Sequence, residues 1–209
     1  MPDVSVEGDS GGTPTRNRRR RDDELLRAAA RVFAERGYSD ASVQDVADEL
    51  GILKGSLYHY IKTKEDLLFW LLEGVLNDIA RIREEVAAID GLDPLERIAE
   101  WVRRQVLYNM ANLDRISIYY HDMDRLTPAR LETLTQKRAA DSRFITNLIR
   151  EAQAQELADP ALDPRVLSNC LFATVIWIYR WYNPHGQISR AKIAETCASY
   201  VTHGLVGTR

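Results

Sequence analysis

The sequence contains few residues that would mark a secreted, metal-binding or membrane protein. Cys170 and Cys197 are the only cysteines and no C-x-x-C pair occurs, so we expect two reduced, packed thiols rather than a disulfide. No run of about eighteen apolar residues is present, and the first residues lack the apolar segment of a signal peptide. We therefore expect a cytoplasmic protein that does not contact a membrane.

Signatures of catalysis are equally scarce. The four histidines are scattered without metal-ligand spacing, no G-x-S-x-G occurs, and the stretch Gly51–Ser56 lacks the spacing of a phosphate-binding loop. His121 and Asp122 could form half of an acid–base pair, but a polar patch on a helix is the simpler interpretation. We expect no enzyme activity, no metal and no cofactor.

Glycine and proline are also rare, with 11 and 7 residues, which permits long helices, and no segment alternates as a strand would. Three pairs place a capping residue before a proline at the first helical position: Asp93-Pro94, Thr127-Pro128 and Asp163-Pro164. The sequence therefore predicts an all-α fold of about nine helices. Outside the motif at residues 42–60, the predicted helices lie near 22–36, 64–89, 93–111, 114–125, 127–157, 163–182 and 189–206.

The stretch 42–60 has the pattern of two short helices joined by a tight turn. From Val43 to Leu50, apolar residues recur at the spacing of one helix face, and Ser42 with Asp45 resembles a capping box. Gly51 suits the left-handed position that ends a helix. A helix, a glycine turn and a second short helix with small and polar residues indicate a helix-turn-helix, whose second helix enters the DNA major groove.

This stretch resembles the DNA-binding motif of TetR-family transcriptional regulators. The matching residues are Ser42-Val43, Val46-Ala47, Leu50-Gly51-Ile52, Gly55, Leu57-Tyr58, His59-Tyr60 and Lys64-Glu65-Asp66-Leu67-Leu68. The chain departs from the family at Leu53, where serine is more common, and so loses a hydroxyl that could cap the second helix or touch a phosphate. The resemblance implies a ligand-responsive repressor that binds a palindromic operator as a homodimer.

The charge of the N-terminal part favours DNA binding more than the net charge of −3 does. Between residues 16 and 64, eleven basic residues outnumber eight acidic ones. Five arginines surround Asn17 just before the first predicted helix, and we expect them to reach phosphates or the minor groove. A solvated basic tail is the alternative.

We expect one set of DNA-binding residues to contact phosphates and another to face base edges. The arm contributes Arg18, Arg19, Arg20 and Arg21; the other phosphate contacts are Ser42, Tyr58, His59 and Lys64; the base-facing residues are Lys54, Gly55 and Ser56. The predicted domains are a disordered basic arm at 1–21, a three-helix DNA-binding head at 22–66, and a C-terminal bundle for ligand binding and dimerisation at 67–209.

The C-terminal part is rich in aromatic residues, which suggests an apolar ligand held between helices. The run Trp177–Gly186 is similar to an R-W-Y-x-P-x-G segment in a branch of TetR repressors of fatty-acid or steroid-ring breakdown. That resemblance implies an acyl-CoA inducer. The predicted ligand-binding residues are Arg103, Val106, Tyr119, Asp122, Trp177, Arg180 and Trp181. We expect Leu72, Leu76, Val102, Val106, Leu148 and Val175 to line an apolar tunnel, with Arg103, Arg104 and Arg180 at its mouth.

The predicted helices 163–182 and 189–206 carry apolar residues on more than one face, so we expect them to form a four-helix dimer interface. The residues expected there are Leu167, Leu171, Thr174, Ile178, Ile193, Cys197, Tyr200, Val201 and Leu205. Two other functions stay open at this stage. One is a regulator of drug efflux that senses a cationic or aromatic compound, and the other is a helical lipid-binding protein or enzyme.

Overall fold

The computed structural model describes residues 16–207, and all regular structure within that range is helical. The elements are α1 (Arg16–Arg36), α2 (Val43–Glu49), α3 (Lys54–Leu57), α4 (Lys64–Ala87), α5 (Pro94–Ala111), α6 (Leu113–Asp122), a 3-10 turn (Met123–Arg125), α7 (Pro128–Ala154), α8 (Pro164–Ile176), α9 (Ile178–Trp181) and α10 (Arg190–Val206). The all-α fold class is therefore confirmed. Within the same range, no helix combines the length and apolar character needed to cross a membrane.

Most helix starts follow the predicted capping signals. Ser42 and Asp45 form a complete capping box at α2, and Asp93 accepts a hydrogen bond from a backbone N–H of the first turn of α5. Gly51 adopts the left-handed conformation with φ of 66°. Thr127 is different, because its side chain makes no capping bond to α7 and instead donates to a side chain of α4.

Two helix boundaries differ from prediction. Helix α1 begins at Arg16 rather than Asp22, so the arginine cluster predicted as a disordered arm is helical. Arginine is a good helix former, and no glycine or proline separates the cluster from the rest of α1. The helix predicted at 163–182 is interrupted at Trp177, within a run of β-branched and aromatic residues whose helix propensity is low. The rest of the predicted arm, 1–15, lies outside the described residues.

Helix α4 belongs to both hydrophobic cores of the chain. Its first half packs with α1, α2 and α3, where Phe33, Val46 and Leu57 are fully buried. Its second half contributes Ile82 and Val86 to the core formed with α5, α7, α8 and α10. The head and the bundle are therefore joined by one continuous helix, as the sequence predicted.

Candidate functional site

Helix α3 and the turn after it present one exposed surface. Leu57 is the only residue of the helix that is buried, and it anchors α3 on the core of the head. The predicted base-facing residues Lys54, Gly55 and Ser56, and the predicted phosphate contacts Tyr58 and His59, are all exposed. The structure therefore brings these five positions together on one face that DNA can approach.

Gly55 has no intramolecular reason to be glycine. Its φ is not in the left-handed region, and a Cβ added there would meet no atom within 4 Å. A glycine at an exposed helical position destabilises the helix by about 1 kcal/mol relative to alanine. A glycine in a recognition helix lets a DNA backbone or base edge come near, and contact of Gly55 with DNA stays a prediction.

Leu53 occupies the N-cap of α3, where it makes no side-chain capping bond. Its side chain is 80% exposed, the largest exposed fraction among the bulky apolar residues of the described chain. The predicted consequence of replacing serine by leucine, the loss of a capping hydroxyl, is therefore present in the structure. The same change places an apolar side chain at the edge of the DNA-binding surface.

The side chain of Lys64, which we predicted to contact a phosphate, is bound within the chain. Its ammonium group donates to the carbonyl oxygens of Tyr38, Ser39 and Ala41, at 2.6, 3.2 and 2.8 Å. An ammonium has three donors, so all of them are used within the chain. It also lies 4.4 Å from the ring centre of Tyr38. Lys64 therefore holds the turn before α2, and through it the position of the helix-turn-helix.

The remaining predicted DNA contacts are placed as follows. Ser42 is exposed at the start of α2, where its hydroxyl donates to Asp45 at 2.7 Å. Arg21 is exposed on α1 beside a cleft between α1 and α4. Arg18, Arg19 and Arg20 belong to α1, but their side chains lie outside the described part of the chain. Their contact with DNA stays a prediction.

A cavity of about 490 Å³ lies in the bundle, between α4, α5, α6, α7 and α8. Its walls are mainly apolar and aromatic, and its polar lining is concentrated on α5 and α7. The lining residues are Leu76, Ile79, Trp101, Gln105, Asn109, Tyr119, Tyr120, Thr135, Arg138, Ala139, Asp141, Ser142, Arg143, Asn169, Phe172, Val175 and Ile176. This volume and lining are typical of a small-molecule site.

Among the predicted ligand-binding residues, Tyr119 lines this cavity, and so do Leu76 and Val175 from the predicted tunnel. Val106 is buried in the core beside it and does not reach the lining. Asp122 also lies away from the lining, at the end of α6, where burial raises the pKa of its carboxyl group against the opposing effect of Arg125. Contact of Val106 and Asp122 with a ligand therefore stays a prediction that this cavity does not support.

Arg103 is engaged elsewhere. Its guanidinium donates two hydrogen bonds to the carboxylate of Glu195 on α10, at 2.6 and 3.1 Å. It also lies 3.6 Å from Glu100. This bidentate pair braces α5 against α10, which removes Arg103 from the candidate mouth of the ligand site.

Trp177, which precedes α9, and Trp181, its last residue, lie on the surface of the chain. Trp177 is 59% exposed and Trp181 is 52% exposed, and Arg180 is exposed over the ring of Trp177 at 5.8 Å. None of these three residues lines the cavity in the single chain, and their contact with a ligand stays a prediction.

Helix α7 supplies the charged residues that line the cavity, and none of them is among the predicted ligand-binding residues. Arg138 and Arg143 are exposed cavity residues, which places them at its opening. Asp141 is buried and accepts a hydrogen bond from Arg83 at 2.6 Å. Burial raises the pKa of Asp141, and the guanidinium of Arg83 opposes that rise. Arg138, Asp141 and Ser142 share the i, i+3, i+4 spacing of one helix face, a signal present in the sequence.

A groove between α8 and α10 is the main exposed apolar surface of the predicted dimerisation helices. Tyr200 is 70% exposed on α10, and Val166 is exposed on α8. The lining residues are Leu167, Cys170, Leu171, Thr174, Tyr200, Val201, His203, Gly204 and Leu205. Ile178 and Ile193 belong to the internal core and do not line this groove. Cys170 is exposed, so the expected packing of both thiols is wrong for this one.

The starts of α4 and α7 are tied together next to the head. Glu65 accepts hydrogen bonds from the N–H and the hydroxyl of Thr127, both at 2.9 Å. Asp66 accepts a hydrogen bond from Arg130, whose guanidinium also lies 5.2 Å from the ring centre of Phe69. We call these four residues, Glu65, Asp66, Thr127 and Arg130, the latch.

Comparison with known proteins places this geometry in a family. Residues 91–205 match the profile described as the tetracyclin repressor-like C-terminal domain. Residues 25–70 match the profile of the bacterial regulatory proteins of the tetR family. The transcriptional repressor KstR2 of Rhodococcus jostii is 31% identical over 184 residues, which cover 87% of this chain and 89% of that protein.

Solved structures agree with the sequence matches. The ketosteroid transcriptional regulator KstR2 of Mycobacterium tuberculosis superposes with a TM-score of 0.83 at 26% identity, covering 90% of this chain and 96% of that one. The regulator AibR, solved in complex with isovaleryl coenzyme A and operator DNA, superposes with a TM-score of 0.79 at 27% identity, covering 86% and 97%.

These matches confirm the family prediction made from the helix-turn-helix motif. The two profiles cover the head and most of the bundle, and the similar solved structures share the all-α fold. The family consists of DNA-binding regulators, which confirms the prediction that the protein is not an enzyme. The chain belongs to the TetR family of bacterial transcriptional regulators.

Proposed function

We propose that this protein is a cytoplasmic repressor that binds a palindromic operator as a homodimer and is released by an acyl-CoA thioester. The observation that carries the proposal is that α7 contacts both the cavity and the start of α4. This helix forms one wall of the cavity, and its first turn makes the latch with α4 beside the DNA-binding helix. A ligand in the cavity therefore contacts the same rigid element that fixes the start of α4.

The cavity chemistry supports an acyl-CoA inducer. Its apolar and aromatic walls suit an acyl group, and Arg138 and Arg143 at the opening suit the anionic nucleotide part of coenzyme A. In this proposal the two arginines take the role predicted for Arg103, Arg104 and Arg180 at the mouth of the tunnel. AibR, whose fold is similar, was solved with isovaleryl coenzyme A bound, which supports the same ligand class here.

The proposed release mechanism requires a ligand that prefers one arrangement of the heads over another. A ligand shifts such an equilibrium only by its differential affinity for the two states. Displacement of α7 by the acyl group would act through Glu65 and Asp66 on the first turn of α4. Because α4 follows α3 closely in the chain, the shift would change the spacing of the two recognition helices.

The exposed groove between α8 and α10 is the proposed dimer interface. Apolar side chains at Tyr200 and Val166 are exposed in the single chain, and a second copy related by a two-fold axis would cover them. Two heads held in this way would read half-sites separated by about 34–36 Å, or a multiple of the DNA turn. The exposed aromatic residues Trp177 and Trp181 lie on the next element of the chain and could be covered by the same partner.

The first test is a gel-shift titration with the DNA that lies upstream of the gene for this protein. The second is calorimetry with acyl-CoA thioesters, free coenzyme A and the matching free acids. We expect thioesters to bind and to release DNA, with free acids much weaker. Arg138→Gln and Arg143→Gln should weaken thioester binding by about tenfold or more, because each removes a charge partner of the phosphates.

Arg103→Gln is the matched control, since it removes an arginine that the structure places outside the cavity. It should leave thioester affinity unchanged. Equal affinity for acid and thioester, or release of DNA by cationic drugs alone, would contradict the acyl-CoA proposal. Neither result would contradict the proposal that the protein is a repressor. The latter result would favour a regulator of drug efflux.

A further inference from the structure

Two residues that line the cavity each carry a buried polar atom without a hydrogen-bond partner among the described residues. These atoms are the indole Nε1 of Trp101 and the amide Oε1 of Gln105. Trp101 is 1% exposed and Gln105 is 3% exposed, and both residues line the cavity. The other unpaired buried atoms, on Arg130 and Ser168, belong to residues that do not line it.

The orientation of Gln105 is set by a short chain of hydrogen bonds. The carbonyl oxygen of Val175, in the last turn of α8, can only accept, and it accepts from Nδ2 of Asn109 at 3.0 Å. The Oδ1 of Asn109 therefore faces Gln105, and it accepts from Nε2 at 2.9 Å. The remaining polar atom of the Gln105 amide is its oxygen, which is the unpaired acceptor.

Trp101 and Gln105 lie four residues apart on α5, so their side chains are neighbours on one face of the helix. The face therefore carries a donor beside an acceptor. A buried polar atom without a partner destabilises a protein by the cost of its desolvation, so two such atoms in residues that line one cavity favour a ligand that bonds to both. The indole N–H needs an acceptor, and the amide oxygen needs a donor.

We infer that the inducer carries a hydroxyl group on its acyl part, and that Trp101 and Gln105 bind this hydroxyl inside the cavity. A hydroxyl accepts from the indole N–H and donates to the amide oxygen at once. A ketone can satisfy only the indole, and a plain hydrocarbon satisfies neither. The inference rests on the proposed function for the cavity as the inducer site, and it adds the class of acyl group.

A site of this kind discriminates strongly, because an analogue without the hydroxyl leaves both protein atoms unpaired. Gln105 connects the ligand to the end of α8 through Asn109 and Val175. Val175 lies two residues before the interruption between α8 and α9. Binding of the hydroxyl therefore stabilises the end of α8, which borders the proposed dimer interface.

The experiment compares three acids of one size, cyclohexanecarboxylate, its 4-hydroxy derivative and its 4-oxo derivative, each as the free acid and as the CoA thioester. Binding to the full chain is measured by calorimetry and by thermal shift at millimolar concentration for the free acids. We expect the hydroxylated member to bind at least about tenfold more tightly than the plain member in both series. The oxo member should fall between them.

Two variants locate the discrimination. Gln105→Met keeps the length of the side chain and removes the acceptor, while Trp101→Phe keeps an aromatic ring and removes the donor. In each, the preference for the hydroxylated member should fall to about threefold or less. The matched controls are Gln136→Met on the exposed face of α7 and Trp70→Phe on α4, neither of which lines the cavity, and both should keep the full preference.

Two results would overturn the inference. The first is that the parent protein binds the hydroxylated and plain members equally well. Failure of both members to change the melting temperature counts as this result. The second is a preference that survives both cavity variants. Failure of the proposed function has a separate signature, in which free hydroxylated acids bind with the expected preference while no thioester binds better than its acid.

Discussion

Glu65, in the first turn of α4, accepts two hydrogen bonds from Thr127, the residue that precedes α7, and both are 2.9 Å long. The two residues are 62 positions apart in the chain, so this contact depends on tertiary structure alone. It fixes the start of α7, which lines the cavity, to the start of α4, the helix that follows the helix-turn-helix. The relationship gives a specific way to separate ligand binding from DNA release.

The latch is expected to transmit the ligand signal. Thr127→Val removes the hydroxyl donor, and Arg130→Gln removes the cation that Asp66 binds. We expect both variants to bind inducer normally, while the ratio of operator affinities without and with inducer falls by about fivefold or more. The measurement is operator binding by fluorescence anisotropy at fixed inducer saturation.

Lys137→Gln provides the control for the latch, because Lys137 forms another α4–α7 pair with Glu73, at 2.6 Å and later in α4 than the latch residues. It should leave the ratio unchanged. A similar loss in this variant would show that α4–α7 contact in general, and not the latch, carries the signal.

The latch also has a defined dependence on pH. Burial raises the pKa of Asp66, but hydrogen bonds from Arg130 and from the N–H groups of Thr63 and Lys62 lower it more, to about 2. A folded-state pKa below the unfolded value of about 3.9 stabilises the native state above that value. The contribution is lost as the pH falls from about 4 towards 2. Acid unfolding of Asp66→Asn should therefore be less steep than that of the parent across this range.

Lys64 and Lys54 are expected to affect DNA binding for different reasons. Lys54 is exposed on α3, so Lys54→Ala should lower affinity and reduce the slope of log affinity against log salt by about 1 if it neutralises a phosphate. Lys64→Met should lower affinity through disorder of the turn it holds, with the slope unchanged. A reduced slope in Lys64→Met would restore the original assignment of a phosphate contact.

Gly55→Ala should separate the stability of the head from its binding of DNA. Alanine has better helix propensity and a Cβ meets no atom within 4 Å, so the free energy of unfolding should rise by about 0.5–1 kcal/mol. Operator affinity should fall, because the methyl group occupies space that DNA needs. Thermal unfolding and gel shift measure the two effects, and unchanged affinity would exclude close approach at this position.

Tyr200 tests the dimer. Tyr200→Glu places a charge in the exposed groove of α10, where a partner would have to bury it. We expect a folded monomer by sedimentation at micromolar concentration, with operator binding lost. Thr133→Glu on the exposed side of α7 should remain dimeric and bind DNA. A dimeric Tyr200→Glu variant would place the interface elsewhere.

Local signals in the sequence determined the helices and the DNA-binding motif, because the interactions that form them are short in range. Ser42 bonds to Asp45 three residues away, and Gly51 ends α2 through its own backbone conformation. Apolar residues at helical spacing then determined which faces are buried. The family resemblance rests on the same local residues, and it was confirmed over both domains.

Tertiary structure decided which charged and polar groups meet. Arg103 pairs with Glu195, 92 residues away, and Lys64 bonds to a turn more than 20 residues before it. Sequence distance gives no information on such pairs, since the energy depends on separation in space. The arginines at the cavity opening and the unpaired atoms of Trp101 and Gln105 became visible only when five helices were packed around one space.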